Sequence, residues 1–233
     1  MLHRELAGRE ITGGPAALVG DRVANVDALG KHLLIHFTSG RILHSHMRMT
    51  GRWQVFRGGK GPRRAGGPVR VVLEAGDRVA VCFNAPVVEL LAAKSEHLHP
   101  WLSSLGPDIL ADPLDTDGIV ERTQRCPAET EIGDVLLDQQ VVCGIGNIWR
   151  SETLFVSRLH PRRTLVSIDR PALCGCFVAA SRLMKSAVRS NCVYQRARRP
   201  CLRCGTAITS ARMGVNARTA YWCPRCQRCQ AGS

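Results

Sequence analysis

Two C-x-x-C pairs near the end of the chain, Cys201-Leu202-Arg203-Cys204 and Cys223-Pro224-Arg225-Cys226, constrain its fold more than any other feature. Two residues between thiolates let both sulfurs of one turn reach the same ion. Two such turns complete a tetrahedral four-cysteine zinc site. The stretch between the pairs, Gly205 to Trp222, has room for two short strands. The spacing therefore predicts a zinc ribbon or β-hairpin finger in which Cys201, Cys204, Cys223 and Cys226 hold one zinc ion. A closed four-cysteine site has no open position, so the metal folds the finger and does not catalyse. A disulfide pair or inert thiols are the alternatives, and the rest of the chain disfavours them. Its eleven cysteines are an odd number, and the N-terminus does not read as a signal peptide, which points to a reducing cytoplasm. Cys82, Cys126, Cys143, Cys174, Cys176 and Cys192 are expected as free thiols, with Cys229 an ambiguous alternative ligand.

Charge narrows the partner. The 233 residues carry 32 Lys+Arg against 19 Asp+Glu, a formal charge of +13. That excess favours a polyanion, most often nucleic acid, over a merely solvated basic surface or an acidic membrane surface. No apolar run approaches transmembrane length, so no membrane partner is expected.

Three regions follow one another. From about residue 10 to 91 the pattern is of strands. His32–Phe37 and Arg41–Met47 flank Thr38-Ser39-Gly40 and predict a hairpin, as do Val69–Leu73 and Val79–Phe83 around Glu74-Ala75-Gly76-Asp77. The Gly/Arg/Pro-rich stretch from Arg57 to Pro68 reads as a polar loop. Short strands at regular spacing predict an antiparallel sandwich or barrel. From Asp115 to Asn191 the period becomes helical. The clearest helix is expected over about 171–189, with Asp169 as N-cap and a core stripe of Leu173, Cys176, Phe177, Ala180, Leu183, Met184, Ala187 and Val188. The finger follows a basic linker, Tyr194 to Pro200. The fold class expected is α+β, with domains at 1–110, 111–195 and 196–233.

Between two predicted helices lies Gln139-Gln140-Val141-Val142-Cys143-Gly144-Ile145-Gly146-Asn147. Glycines permit a tight path, and an asparagine opening a helix can meet a phosphate beside the first-turn amides. An ordinary tight turn would read the same way. The longer segment Gly144-Ile145-Gly146-Asn147-Ile148-Trp149-Arg150-Ser151-Glu152, followed by Leu154-Phe155 and His160-Pro161, resembles the signature of the formamidopyrimidine-DNA glycosylase/endonuclease VIII family. Three further segments agree in order. Gly30-Lys31-His32-Leu33-Leu34 resembles the family's lysine-bearing hairpin. His46-Met47-Arg48-Met49-Thr50-Gly51-Arg52-Trp53 resembles its intercalation loop. Arg218 to Gln227 resembles its zinc-finger tail.

The resemblance implies an N-terminal β-sandwich, a helix–two-turns–helix module and a zinc finger, acting as a monomer on damaged DNA beside the bacterial chromosome. It implies base-excision repair: an oxidised base is flipped out, its N-glycosidic bond is cut, and the strand is nicked by β- and δ-elimination. Lys31 matches the lysine that contacts phosphate beside the lesion and supports proton transfer. Met49 matches the residue that fills the void left by the flipped base. Asn147 and Arg218 match the residues that grip the flanking phosphates. Tyr221-Trp222 and Arg48-Met49 look more like the endonuclease VIII branch, which removes oxidised pyrimidines.

One departure bears on the chemistry. Family enzymes begin with proline and glutamate, the proline amine attacking the sugar C1′ to form a Schiff base. This sequence begins Met1-Leu2-His3-Arg4-Glu5, which resembles the end of the family's first helix. Glu5 occupies a different place and is no substitute for the glutamate. The expectation is a bifunctional repair enzyme. The alternatives are a damage-binding protein with impaired chemistry and, from another class, a zinc-ribbon interaction module without DNA affinity.

Overall fold

The computed structural model describes residues 2–48, 50–58, 61, 67–93, 99–186 and 191–229. The chain divides into two compact units, Met1–Ser103 and Ser104–Ser233.

The first unit opens with a short helix, α1 (Leu2–Leu6), followed by seven strands: β1 (Val23–Leu29), β2 (His32–Phe37), β3 (Ile42–His46), β4 (Arg52–Arg57), β5 (Val69–Ala75), β6 (Arg78–Phe83) and β7 (Val87–Leu91). A one-turn helix, α2 (Pro100–Ser103), closes the unit. The strands form two antiparallel sheets, ordered β1-β2-β3-β7 and β4-β6-β5. Both predicted hairpins form. Alternation sends Ile35, Phe37 and Leu43 of the first sheet, and Val71, Leu73, Ala80 and Cys82 of the second, into one core. That is the expected sandwich. Leu6 of α1 joins the same core. The Glu5 carboxylate accepts from Arg57 Nη2 and Arg78 Nε, both at 2.6 Å, and so ties α1 to β4 and β6. Glu5 is thus a structural anchor. Most of the predicted loop, 59–60 and 62–66, lies outside the described residues.

The second unit holds α3 (Thr116–Thr123), α4 (Ile132–Val135), α5 (Asn147–Val156), α6 (Arg170–Lys185), β8 (Thr209–Met213) and β9 (Arg218–Trp222). Asp115 caps α3, its Oδ1 accepting from Gly118 N at 2.9 Å. Asp169 caps α6 as expected, accepting from Ala172 N at 2.8 Å, and Pro171 sits in the first turn, where a missing N–H costs nothing. Leu173, Cys176, Phe177 and Ala180 are buried against Ile119, Ile132, Val135, Leu136 and Leu154. Burying Phe177 completely stabilises the unit by about 1.5–3 kcal/mol. The helix ends at Lys185, short of the expected 189, and Ala187 and Val188 lie outside the described residues. The antiparallel pair β8–β9 is the predicted finger hairpin. No helix among the described residues is long and apolar enough to cross a membrane.

Candidate nucleic-acid interface and metal centre

The candidate metal centre lies in the second unit. The four sulfurs of Cys201, Cys204, Cys223 and Cys226 lie within 4.8 Å of one another. Cys204 Sγ is 3.4 Å from Cys223 Sγ, and Cys201 Sγ is 4.0 Å from Cys226 Sγ. A tetrahedral ion with Zn–S bonds of ~2.3 Å places its sulfurs ~3.8 Å apart, between those values. The residues present therefore fit zinc. Hydrogen bonds with Thr206 hold the Cys204 thiol down to about 6. Burial and the neighbouring thiols push Cys226 up to about 12. A divalent cation would relieve that crowding of thiolates. Gly205, at φ +75°, turns the first knuckle, and its N–H donates to Cys201 O at 2.9 Å. Cys229 is exposed and stands outside the four-sulfur group.

Gln227 anchors the finger from behind. Fully buried, it accepts from Cys223 N at 2.9 Å and donates to Leu159 O at 2.8 Å.

The glycine-rich loop before α5 is held by Gln139. Its Nε2 donates to Leu137 O (2.9 Å) and Ile145 O (3.2 Å), and its Oε1 accepts from Gly144 N (3.0 Å). Gly144 lies at φ +105°, where a side chain would be strained. The loop delivers Gly146 as the residue before α5, with first-turn amides free of helical partners and the positive end of the dipole at Asn147.

Three α5 side chains at i, i+3 and i+4, within about one turn on a single face, then hold the backbone of β9. Asn147 Nδ2 donates to Thr219 O at 2.9 Å, Arg150 Nη2 donates to Arg218 O at 3.0 Å, and Ser151 Oγ accepts from Tyr221 N at 3.4 Å. With its carbonyl so held, Arg218 remains an exposed side chain at the start of β9. Arg150 is fully buried, and its nearest carboxylate oxygen, on Asp134, is 3.9 Å away. Burial brings the guanidinium down to about 10, which still leaves it charged at neutral pH. Asn147 uses one Nδ2 hydrogen on Thr219, and the second remains available to a phosphate.

Glu152 completes the scaffold. The residue is 4% exposed, and its carboxylate accepts from the backbone N–H of Cys192 (2.8 Å), Val193 (3.0 Å) and Tyr194 (2.8 Å). One side chain thereby orders the segment that leads into the finger. The roles of Arg150, Glu152 and Gln227 escape a reading by motif, because each holds backbone groups about 40 to 68 residues away, and Gln139 escapes it because a loop-bracing glutamine has no spacing signature.

In the first unit, Gly30 takes φ +58° in the two-residue turn between β1 and β2, and Lys31 follows it. Burial lowers the pKa values of the neighbouring His32 and His46, and the charge of Lys31 adds a smaller push in the same direction. The turn between β3 and β4 carries Arg48 at φ +46°, and Gly51 N donates to Met47 O at 2.8 Å. A Cβ on Gly51 would lie 2.9 Å from the Ala85 Cα, so only glycine fits. Met49 lies outside the described residues. Each unit therefore carries its own share of the sequence-derived residues: Lys31 in the first, and Asn147, Arg218 and the four cysteines in the second.

Comparison with known proteins covers nearly the whole chain. Residues 3–86 match the formamidopyrimidine-DNA glycosylase N-terminal domain, 105–196 its H2TH domain, and 199–229 the zinc finger found in FPG and IleRS. A probable endonuclease 8 of Streptomyces coelicolor is 35% identical, over 97% of this chain and 89% of its own length. Endonuclease 8 of Pectobacterium carotovorum is 31% identical, over 91% of this chain and 86% of its own. The solved structure of the Lactococcus lactis formamidopyrimidine-DNA glycosylase, bound non-covalently to DNA containing an abasic site, superposes with a TM-score of 0.82. It covers 97% of this chain and 95% of its own at 20% identity, a likeness of fold.

Proposed function

The chain belongs to the formamidopyrimidine-DNA glycosylase and endonuclease 8 family of base-excision repair enzymes, and from that premise we propose the part each of its residues plays and the lesions it acts on. Its partner is damaged DNA. The family reaction removes an oxidised base at the N-glycosidic bond and nicks the abasic site by elimination. Within the family we assign this chain to the endonuclease 8 side, with oxidised pyrimidines as substrates, because both relatives named above carry that name.

The observation that carries the residue roles is the grip of α5 on β9. Asn147, Arg150 and Ser151 hold the strand backbone, so that the exposed Arg218 and the first-turn amides of α5 belong to one framework. A guanidinium fork and a helix N-terminus both favour phosphate oxygens. In this reading Arg218 and Asn147 grip the phosphates flanking the lesion. Lys31 contacts phosphate beside the lesion and supports proton transfer, and Met49 fills the gap left by the flipped base. One zinc ion at Cys201, Cys204, Cys223 and Cys226 folds the finger when bound. The sandwich lies in the first unit, and the helical module and the finger in the second, with the finger from about residue 196, working as a monomer beside the chromosome in the cytoplasm.

Incision and borohydride trapping test the assignment. The substrates are duplexes with one oxidised pyrimidine, one oxidised purine or one abasic site. The 233-residue chain is compared with a form extended to open on Pro-Glu. The extended form should incise the pyrimidine lesion in preference to the purine and trap on the abasic site. The chain opening on Met1 should bind the same site. Equal purine incision would overturn the branch assignment. Absence of incision in both forms would overturn the enzyme reading.

A further inference from the structure

The outer face of the first sheet carries a cluster that none of the roles above employs. Strand alternation puts His32 of β2, His44 and His46 of β3, and Glu89 of β7 on the face opposite the shared core. The register brings them together: His44 stands directly across from Glu89, and His32 across from His46. His99, just before α2, completes the group. Glu89 Oε1 lies 2.7 Å from His44 Nδ1 and 2.9 Å from His99 Nε2. The other ring nitrogen of His44, Nε2, lies 2.8 Å from His32 Nδ1.

We propose that His44 Nδ1, Glu89 and His99 Nε2 form a second metal site, for a first-row divalent ion such as Zn²⁺, in which His32 orients the His44 ring. Two imidazoles and a carboxylate are a donor set suited to zinc and its neighbours, and unlike the four cysteines they leave a coordination position open. The three ligand atoms lie within 4.8 Å of one another. Tetrahedral zinc, with bonds of ~2.0–2.2 Å, needs them ~3.3 Å apart. The two short contacts must open slightly, and the third pair already has space. Neither movement requires a strand to shift register.

The surroundings also suit an ion. A metal-bound histidine commonly has its second nitrogen held by a hydrogen bond, which fixes the tautomer and ring plane. His32 does this for His44. The side chain of Glu89 is 40% exposed while that of His44 is 2% exposed, which gives a buried ligand with an access route from solvent. Three hydrogen bonds are given up on binding: those that His44 Nδ1 and His99 Nε2 donate to Glu89, whose carboxylate only accepts, and one at His99 Nδ1. His99 Nδ1 accepts from Leu102 N at 3.4 Å, and coordination through Nε2 would place a proton on that Nδ1. Three coordinate bonds replace these hydrogen bonds, and binding releases the protons that the ligand nitrogens carried, so uptake should strengthen as pH rises.

The proposal stands apart from the DNA-repair reading, since its readout is metal and not activity. Full-length protein is treated with EDTA under conditions that leave the finger zinc in place, then titrated with Co²⁺ and Zn²⁺. The expected result is one further equivalent per chain. Its cobalt spectrum should show d–d bands without the thiolate charge-transfer absorption of a cysteine site. His32→Gln should weaken this binding about 10- to 100-fold, and Glu89→Gln and His99→Gln at least as much. Circular dichroism and retained finger zinc report that the variants are folded, and the partly exposed Glu89 makes its variant the safest. Failure of the parent to take up a further equivalent at millimolar metal would overturn the proposal. So would unchanged uptake in both Glu89→Gln and His99→Gln.

Discussion

Arg150 donates from Nη2 to the main-chain carbonyl of Arg218 at 3.0 Å, so that a fully buried guanidinium on α5 holds in place the strand residue whose own guanidinium is exposed. The two arginines do different work. One is part of the framework, and the other is presented by it.

Substitution should separate them. Arg218→Ala removes an exposed side chain and should leave thermal stability nearly unchanged. Its DNA affinity should fall, and the slope of log affinity against log salt should become shallower by about 0.9 for each phosphate that Arg218 neutralises. Arg150→Ala empties a buried position and frees Arg218 O, so it should lower both stability and affinity. Thermal melts together with salt titrations of DNA binding check both. A parent whose affinity ignores salt would contradict the phosphate roles.

Glu152 is predicted to be the costliest polar position in the second unit. Glu152→Ala leaves the N–H groups of Cys192, Val193 and Tyr194 without their acceptor. The destabilisation should be about 3–5 kcal/mol by denaturant unfolding. Glu152→Gln keeps one oxygen for Val193 and Tyr194, and should cost less.

The finger should contain about one zinc per chain by metal analysis. Cys201→Ser combined with Cys223→Ser should abolish zinc retention and weaken DNA binding. Stoichiometric zinc in that double variant would refute the ligand set.

Acid should weaken the α1 anchor. Hydrogen bonds from Arg57 and then Arg78 hold the Glu5 carboxyl below its ordinary 4.5. A group depressed in the folded state adds stability above its unfolded value and loses it as pH falls through the folded one. Glu5→Gln should therefore melt below the parent at pH 7, and the gap should close as pH drops below about 4. Added salt should narrow the gap at pH 7, because Arg57 is largely exposed.

Features governed by local spacing were legible in the sequence. The cysteine pairs gave the four-sulfur group, the turn residues gave the β2–β3 and β5–β6 hairpins, and Asp169 gave the start of α6. Features made by distant register were not. His44 meets Glu89 only because β7 pairs with β3, although 45 residues separate them. Nothing in either strand's pattern announces that pairing. Gln139 and Glu152 are likewise ordinary polar residues until their backbone partners are seen. Apolar spacing continues past Lys185 and so extends the expected helix to 189, whereas α6 stops where Ser186 turns to extended backbone at φ −69°, ψ 137°.

Equilibrium binding to a duplex bearing a single abasic-site analogue, against the same duplex undamaged, tests the central claim most directly. Fluorescence anisotropy with the 233-residue chain would measure both at one salt concentration, in the parent and in Arg218→Ala. The account predicts tighter binding to the damaged duplex, with most of that preference absent from the variant. Equal affinity of the parent for the two duplexes would contradict it.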